Sequence, residues 1–332
     1  MLTDKTILIT GGTGSFGKKF TEIVFKNYPD VKKIIIFSRD EFKQFEMANN
    51  QKFINNEKLR FFIGDVRDKE RLLRAFDGVD IVIHAAALKQ VPSCEYNPFE
   101  AVKTNILGAQ NVIDCAIDRG INKVIALSTD KACSPINLYG ATKLCSDKLF
   151  IAGNFYAGQH DTKISVVRYG NVAGSRGSVI PFFKKIISEG INELPITDIR
   201  MTRFWLKLDE AVEMVIQAIE NMVGGELFVK KIPSMKITEL AQAMAPQLKL
   251  KEIGIRPGEK IHEMMISSED SRNTIELEKY YIIKPESPEL ANRIKVNGKP
   301  VMQDFEYHSG NNSQWLSIQQ MQNLINEINE EI

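Results

Sequence analysis

The segment Thr10-Gly11-Gly12-Thr13-Gly14-Ser15-Phe16-Gly17 constrains the fold more than any other part of the chain. It follows the apolar run Ile7-Leu8-Ile9 and precedes a stretch of helical periodicity from Lys18 to Tyr28, so strand, glycine turn and helix come in the order of a dinucleotide-binding unit. Glycine lets the backbone turn tightly and pass close to a pyrophosphate. The N-terminus of the following helix offers free N–H groups and about half a positive charge. Gly11, Thr13, Gly14, Ser15, Phe16 and Gly17 are therefore candidate cofactor contacts. The Gly-x-x-Gly-x-x-Gly spacing is a variant of the usual fingerprint, and glycines also mark plain turns, so the assignment needs the rest of the pattern.

A second strand, Lys33-Ile34-Ile35-Ile36-Phe37, ends in Ser38-Arg39-Asp40, where such a fold meets the adenosine ribose. A carboxylate directly at the strand end would hold the ribose hydroxyl of NAD, whereas a cation suits the 2′-phosphate of NADP. Ser38 and Arg39 fit the phosphate, and Asp40 is placed either for the ribose or to cap the next helix, so NADP is the expected cofactor. The third strand, Arg60 to Asp65, brings Asp65 and Val66 to the adenine side. The fourth, Ile81 to Ala87, ends in small residues that suit close passage of a cofactor, with Ala85 as a contact. His84 reads as a core histidine rather than a catalytic one, and Lys89 is within reach of cofactor or substrate. Strand and helix alternate from residue 5 to about 172, through the amphipathic stretch Pro98 to Arg119 and the strand Ile164 to Tyr169. That alternation predicts an α/β fold with a doubly wound parallel sheet. Residues 1–172 form the cofactor domain, with later segments able to return to it; 173–285 form a smaller, mainly substrate-binding C-terminal lobe; 286–332 are a polar tail with no assigned role.

The fifth strand, Val124 to Leu127, runs into Ser128-Thr129-Asp130-Lys131, at the strand end where ligands bind in open parallel sheets. Shortly after comes Tyr139-Gly140-Ala141-Thr142-Lys143. Tyr139 and Lys143 share one face of a predicted helix. A tyrosine titrates near ~10, so it becomes a base at neutral pH only beside a cation or the positive ring of a nicotinamide, and Lys143 is placed to supply that cation. An isolated Tyr-x-x-x-Lys is an ordinary solvated face; its convergence with Thr129, Asp130 and Lys131 on the predicted cofactor crevice argues for chemistry.

After Asn171, a candidate substrate contact, the pattern loosens into helices over 181–189, 208–222 and 237–245 and a short strand over 226–229. Two segments carry chemical side chains: Thr197 to Trp205 and Arg256-Pro257-Gly258-Glu259-Lys260. Arg203 and Arg256 can grip a diphosphate bidentately, Glu259 can accept from sugar hydroxyls, and Thr197 lies beside them. Their spacing alone is equally compatible with scattered surface charges. The chain has 332 residues, 43% hydrophobic and 26% charged, with a net charge of +1, so nothing electrostatic calls for nucleic acid or an anionic membrane. No apolar run approaches the ~18 residues of a membrane span, and the first strand begins too early for a signal peptide, so a cytoplasmic location is expected. Cys94, Cys115, Cys133 and Cys145 show no metal-type pairing, and no metal site is expected; Cys133, near the proposed site, is a candidate reactive thiol.

Taken together, the glycine turn, Thr129, Tyr139/Lys143 and Arg256-Pro257-Gly258-Glu259-Lys260 resemble an extended short-chain dehydrogenase/reductase acting on a nucleotide-sugar. Ser38-Arg39-Asp40-Glu41, Ser128-Thr129-Asp130-Lys131, Asn137 to Lys143 and Thr202-Arg203-Phe204-Trp205 more narrowly resemble the inverting UDP-N-acetylglucosamine 4,6-dehydratases, which begin pseudaminic acid synthesis in bacteria that glycosylate their flagellins. The resemblance spans residues 1 to about 285. It implies that the Tyr139 phenolate takes the 4-hydroxyl proton as hydride leaves C4 for NADP. Lys131 then removes the acidified C5 proton while Asp130 protonates the departing 6-hydroxyl, and hydride returns to C6. It also implies a homo-oligomer, a dimer or higher up to a hexamer, through helices such as 98–119 and 144–156. Glucose-nucleotide 4,6-dehydratases carry Thr-Asp-Glu where this chain has Thr129-Asp130-Lys131, so an amine stands where they have a carboxylate. Three other readings stand beside this one. A 4-epimerase would have no use for Asp130-Lys131; a retaining dehydratase resembles large membrane-anchored relatives with methionine at the Tyr139 position; an NADP-sensing regulator would not need all three catalytic groups.

Overall fold

Six largely apolar runs form parallel strands, the inner five covered on both sides and the edge run Leu59–Ile63 left half-exposed. They are β1 (Thr6–Thr10), β2 (Lys33–Ser38), β3 (Leu59–Ile63), β4 (Ile81–His84), β5 (Lys123–Thr129) and β6 (Lys163–Tyr169), paired in the order β3-β2-β1-β4-β5-β6. The computed structural model describes residues 2–174 and 178–330. The strand order reverses between β1 and β4, which opens a crevice at the carboxyl ends of these strands. Beyond β6 the sheet continues through Leu227–Lys230, parallel to β6, and then through the antiparallel strands Tyr280–Ile283, Thr274–Glu276 and Lys299–Pro300, reaching ten strands. Segments far downstream thus return to the first sheet.

Helices α1 (Ser15–Asn27), α2 (Glu41–Ala48), α3 (Lys69–Ala75), α4 (Val91–Tyr96), α5 (Pro98–Val102), α6 (Gly108–Asp118) and α7 (Leu138–Ala152) cover the two faces. One core, including Leu8, Val82, Val112 and Phe150, lies under α3, α6 and α7. The other, including Ile9, Phe20, Ile36 and Val215, lies under α1 and the helix Leu208–Asn221. The amphipathic stretch from Pro98 is not a single α-helix. A π turn at Lys103–Leu107 separates α5 from α6 and buries Asn105, whose amide donates to Leu88 O at 2.9 Å and Thr142 Oγ1 at 3.0 Å and accepts from Leu88 N at 2.8 Å. Such a turn widens the helix locally to aim one side chain.

A third core belongs to the second lobe and joins Phe183, Trp205, Met235 and Leu240 to Met321, Leu324 and Ile325 of the tail helix Ile318–Glu330. The tail also supplies Tyr307–His308, which pairs with Met264–Ile266, and Tyr307 Oη both accepts from Ile232 N and donates to Ile232 O, each at 2.9 Å. Its strands are only two residues long, and its helix is polar except at the positions spaced three and four apart, so composition concealed its packing.

Candidate active site

The turn after β1 is built by close approach. Gly11 has φ +66°, and a Cβ there would meet Ala86 backbone atoms at 2.9 Å; a Cβ on Gly17 would overlap Gly12 O. A Cβ on Gly14 would meet only Gly11 O, at 3.2 Å, so it would otherwise occupy the open cradle in front of α1, whose first turn carries no side-chain cap. That is the space and the uncapped N–H array a pyrophosphate requires. Asp40 takes the capping role: its carboxylate accepts from Lys43 N at 3.0 Å. Arg39 at the β2 end stays half-exposed, 3.6 Å from Asp65 Oδ2. Burial works to raise the Asp65 pKa, but its bonds to Arg67 outweigh this and hold it below the usual range. Val66 is buried against Gly108. His84 is buried, shares a 2.9 Å hydrogen bond with Thr10 Oγ1 and is driven down to about 3 by burial and then Lys143, so it is a neutral core residue.

At the end of β5 the chain turns through Asp130–Ala132 and re-enters α7, where the Asn137 side chain caps the helix by accepting from Gly140 N at 2.8 Å. A Cβ at Gly140 would overlap Lys131 O, so glycine is what lets α7 close over the turn. Thr129 Oγ1 donates to Asp130 Oδ1 at 2.9 Å, and Lys131 Nζ lies 3.1 Å from the same oxygen. Below them Asp147 Oδ2 accepts from Ser128 Oγ at 2.6 Å and from Arg168 Nη2 at 3.3 Å, tying β5, β6 and α7 together.

The electrostatics correct the expectation for the Tyr139/Lys143 pair. Burial pushes the Tyr139 phenol up to about 12, and the cation that most opposes this is Lys131, helped by a Thr129 hydrogen bond. Lys143 lies deeper, acting on His84 and Asp147, and burial lowers its own pKa. Lys131, the expected C5 base, has its ammonium form favoured: burial opposes its charge, but Asp130 and then Glu263 more than compensate and raise its pKa. Burial raises Asp130 despite Lys131, with Glu263 adding to the rise. Cys133 is not the reactive thiol anticipated, since burial holds it up at about 11.

Residues 7–285 match the sequence profile of the polysaccharide biosynthesis protein family. The chain belongs to that family. An inverting UDP-N-acetylglucosamine 4,6-dehydratase from Campylobacter jejuni subsp. jejuni serotype O:23/36 (strain 81-176) is 58% identical over 98% of both chains. A UDP-glucose 4-epimerase from Rickettsia akari (strain Hartford) is 44% identical over 98% of this chain and 96% of its own. Among solved structures, the X-ray structure of Pen from Bacillus thuringiensis superposes with a TM-score of 0.89 over 99% of both chains at 37% identity.

The substrate-side residues of this family member divide. Arg203, expected to grip a diphosphate, is buried and uses Nη1 on Thr202 O at 2.7 Å and Ile261 O at 3.1 Å, while its Nε lies 3.7 Å from Glu263. A guanidinium out of water needs such partners. Between Arg256 and Glu259, Gly258 meets the start of α7, where its O accepts from Asn137 Nδ2 at 2.8 Å. Arg256 is exposed, 4.0 Å from Glu259 Oε1. Lys260 donates to Cys133 O at 2.5 Å. Lys89, at the far side of the crevice, has its pKa lowered by desolvation of its ammonium and then by Lys131. Thr197 is buried beyond the strand Glu193–Ile196, and Asn171 starts the short strand Asn171–Val172 beside Thr202–Leu206; neither touches the Asp130 cluster through a side-chain bond. Glu263, 3.1 Å from Lys131 Nζ, escaped the sequence reading because nothing sets one carboxylate apart in His262-Glu263-Met264-Met265-Ile266. Asn105 and Asp147 escaped it for the same reason.

Proposed function

We propose that this protein converts UDP-N-acetylglucosamine to UDP-2-acetamido-2,6-dideoxy-β-L-arabino-hex-4-ulose, as an NADP-dependent inverting 4,6-dehydratase at the start of pseudaminic acid synthesis. The observation that carries the reading is the pairing of buried Asp130 with partly exposed Lys131, 3.1 Å apart beside Tyr139 at the carboxyl end of β5. Oxidation at C4 needs one base beside the hydride acceptor. Loss of water from C5 and C6 also needs a second base and an acid, and a 4-epimerase has no step that uses them.

A nicotinamide cofactor held by the glycine turn supplies the hydride acceptor and a positively charged ring. Arg39, half-exposed at the β2 end while Asp40 caps α2, supports NADP over NAD. Tyr139, once its own proton has left to solvent in the field of that ring and of Lys131, receives the 4-hydroxyl proton as the phenolate. Lys131 takes the C5 proton once it has given up its own, and Asp130, whose buried carboxyl favours the protonated form, delivers a proton to the 6-hydroxyl. Arg256 and Glu259 stand ready for diphosphate and sugar hydroxyls. The same reading includes a cytoplasmic homo-oligomer. It is supported by the exposed Tyr96, Phe99 and Leu107 along α4 to α6, and no described helix is long and apolar enough to cross a membrane. Light scattering that found only monomer would refute the oligomer.

The Rickettsia relative's name favours a second reading, 4-epimerisation. Proton NMR of UDP-N-acetylglucosamine incubated with the protein separates the two. A 4-keto-6-deoxy sugar of L-arabino configuration supports the inverting dehydratase, the D-xylo configuration makes it retaining, and the C4 epimer overturns the dehydratase.

A further inference from the structure

The catalytic cluster holds one carboxylate with no task in that scheme. Glu263 is 3% exposed; its Oε1 lies 3.1 Å from Lys131 Nζ and 3.7 Å from Arg203 Nε, while Lys131 Nζ is 3.1 Å from Asp130 Oδ1. The tail fixes its backbone: Glu263 N donates to Ser309 Oγ at 2.9 Å, Ser309 N donates to Glu263 O at 2.7 Å, and the Ser309 and Thr202 hydroxyls share a 2.7 Å hydrogen bond. Two buried carboxylates therefore flank one partly exposed ammonium, with a buried guanidinium beyond. The second oxygens, Asp130 Oδ2 and Glu263 Oε2, are buried with no partner among the described residues. Apolar packing of the same volume would be at least as stable as such a cluster, so stability alone gives no reason for it.

Resting on the dehydratase reading, we propose that Glu263 is a positioning residue for the elimination step: its fixed anion holds Lys131 Nζ against Asp130, so that the shared proton can pass from Lys131 to Asp130 and the amine left behind stands where C5–H breaks. The N–H bond at Nζ breaks with its electron pair left on nitrogen, and an O–H bond forms at Asp130. Lys131 is then the amine for the C5 proton and Asp130 the acid for the 6-hydroxyl. When C5–H breaks, the proton goes to Nζ and the electron pair becomes the C5=C6 bond; C6–O breaks, and the Asp130 proton leaves with the oxygen as water. The pair returns to the ammonium and carboxylate it began as, with no outside reagent. Glu263 acts by position: its charge raises the proton affinity of Lys131, the nearer group, as well as that of Asp130, and Arg203 helps keep Glu263 itself ionised. The groups facing Lys131 are the anions Asp130 and Glu263, the cations Arg203, Lys89 and Lys260, and the Tyr139 phenol.

Glu263→Gln keeps the volume and removes the charge. Beside wild-type protein converting UDP-N-acetylglucosamine, the variant is expected to lose about 10²-fold in kcat with KM little changed. Absorbance at 340 nm should build up in the variant, since C4 oxidation proceeds while elimination stalls. Both limbs of the kcat pH profile should move to lower pH, because loss of the anion eases deprotonation of both Lys131 and Asp130, and Glu263→Asp should restore part of the rate. Ser309→Ala, which loosens Glu263 without touching its charge, should stall elimination in the same way more weakly, and serves should circular dichroism find Glu263→Gln unfolded. A folded Glu263→Gln with wild-type kcat, or one that loses C4 oxidation along with elimination and shows no 340 nm rise, overturns the inference alone. Wild-type protein that forms no dehydrated sugar overturns the proposed function and this inference with it, an outcome visible in the wild-type arm by itself.

Discussion

At the scale of single residues, a missing Cβ does as much as any catalytic side chain. Gly140 lets α7 close on the Asp130–Lys131 turn, because any side chain would overlap Lys131 O. Gly140→Ala is therefore expected to destabilise the protein by about 1–3 kcal/mol and to lower kcat by displacing Lys131 from Tyr139, as read from urea midpoints and product NMR. An unchanged midpoint would show that the turn can move aside. The cluster at β5 was legible because Thr129, Asp130, Lys131, Tyr139 and Lys143 lie close in sequence, with a spacing that puts the tyrosine and second lysine on one helix face. Their charge states were not. Spacing puts Lys143 on the phenol's helix face, whereas burial and the cation Lys131 dominate the phenol, and Lys131 is itself held charged by Asp130 beside it and then by Glu263 from a distant segment. Glu263 meets Lys131 only because the chain folds back, and no local pattern records that contact.

At the scale of elements, the strands of the parallel sheet were legible from apolar runs, and the helices expected at 18–28, 181–189, 208–222 and 237–245 from their period, to within a few residues. What sequence could not give was the π turn at Lys103–Leu107, because its cause is tertiary: Asn105 is aimed at Leu88 and Thr142. The β1–β4 pair makes a pH prediction. His84 is held near 3, below the ~6.5 of an unfolded histidine. Between those values the unfolded chain binds a proton that the native one refuses, so stability falls as pH drops below about 6.5. The contribution is about 2 kcal/mol between pH 7 and pH 5. Chemical denaturation of His84→Gln at both pH values should show a smaller loss than wild type; an equal loss would mean that His84 opens and titrates in the native state.

For the molecule as a whole, the unexpected part is the tail. Three buried side chains of Ile318–Glu330, Met321, Leu324 and Ile325, close the second lobe's core, while Tyr307 and Ser309 brace Ile232 and Glu263. Burial of each apolar side chain is worth about 1.5–3 kcal/mol, so truncation before Tyr307 should lower the melting temperature and abolish dehydration together. Retention of activity would detach the tail from the site. The central claim is that one enclosed site oxidises C4, expels water and returns the same hydride to C6. The direct measurement uses UDP-N-acetylglucosamine deuterated at C4 and follows the label by NMR. Deuterium recovered at C6 of a 4-keto-6-deoxy sugar is the predicted result; deuterium returned to C4, with no loss of water, would contradict it.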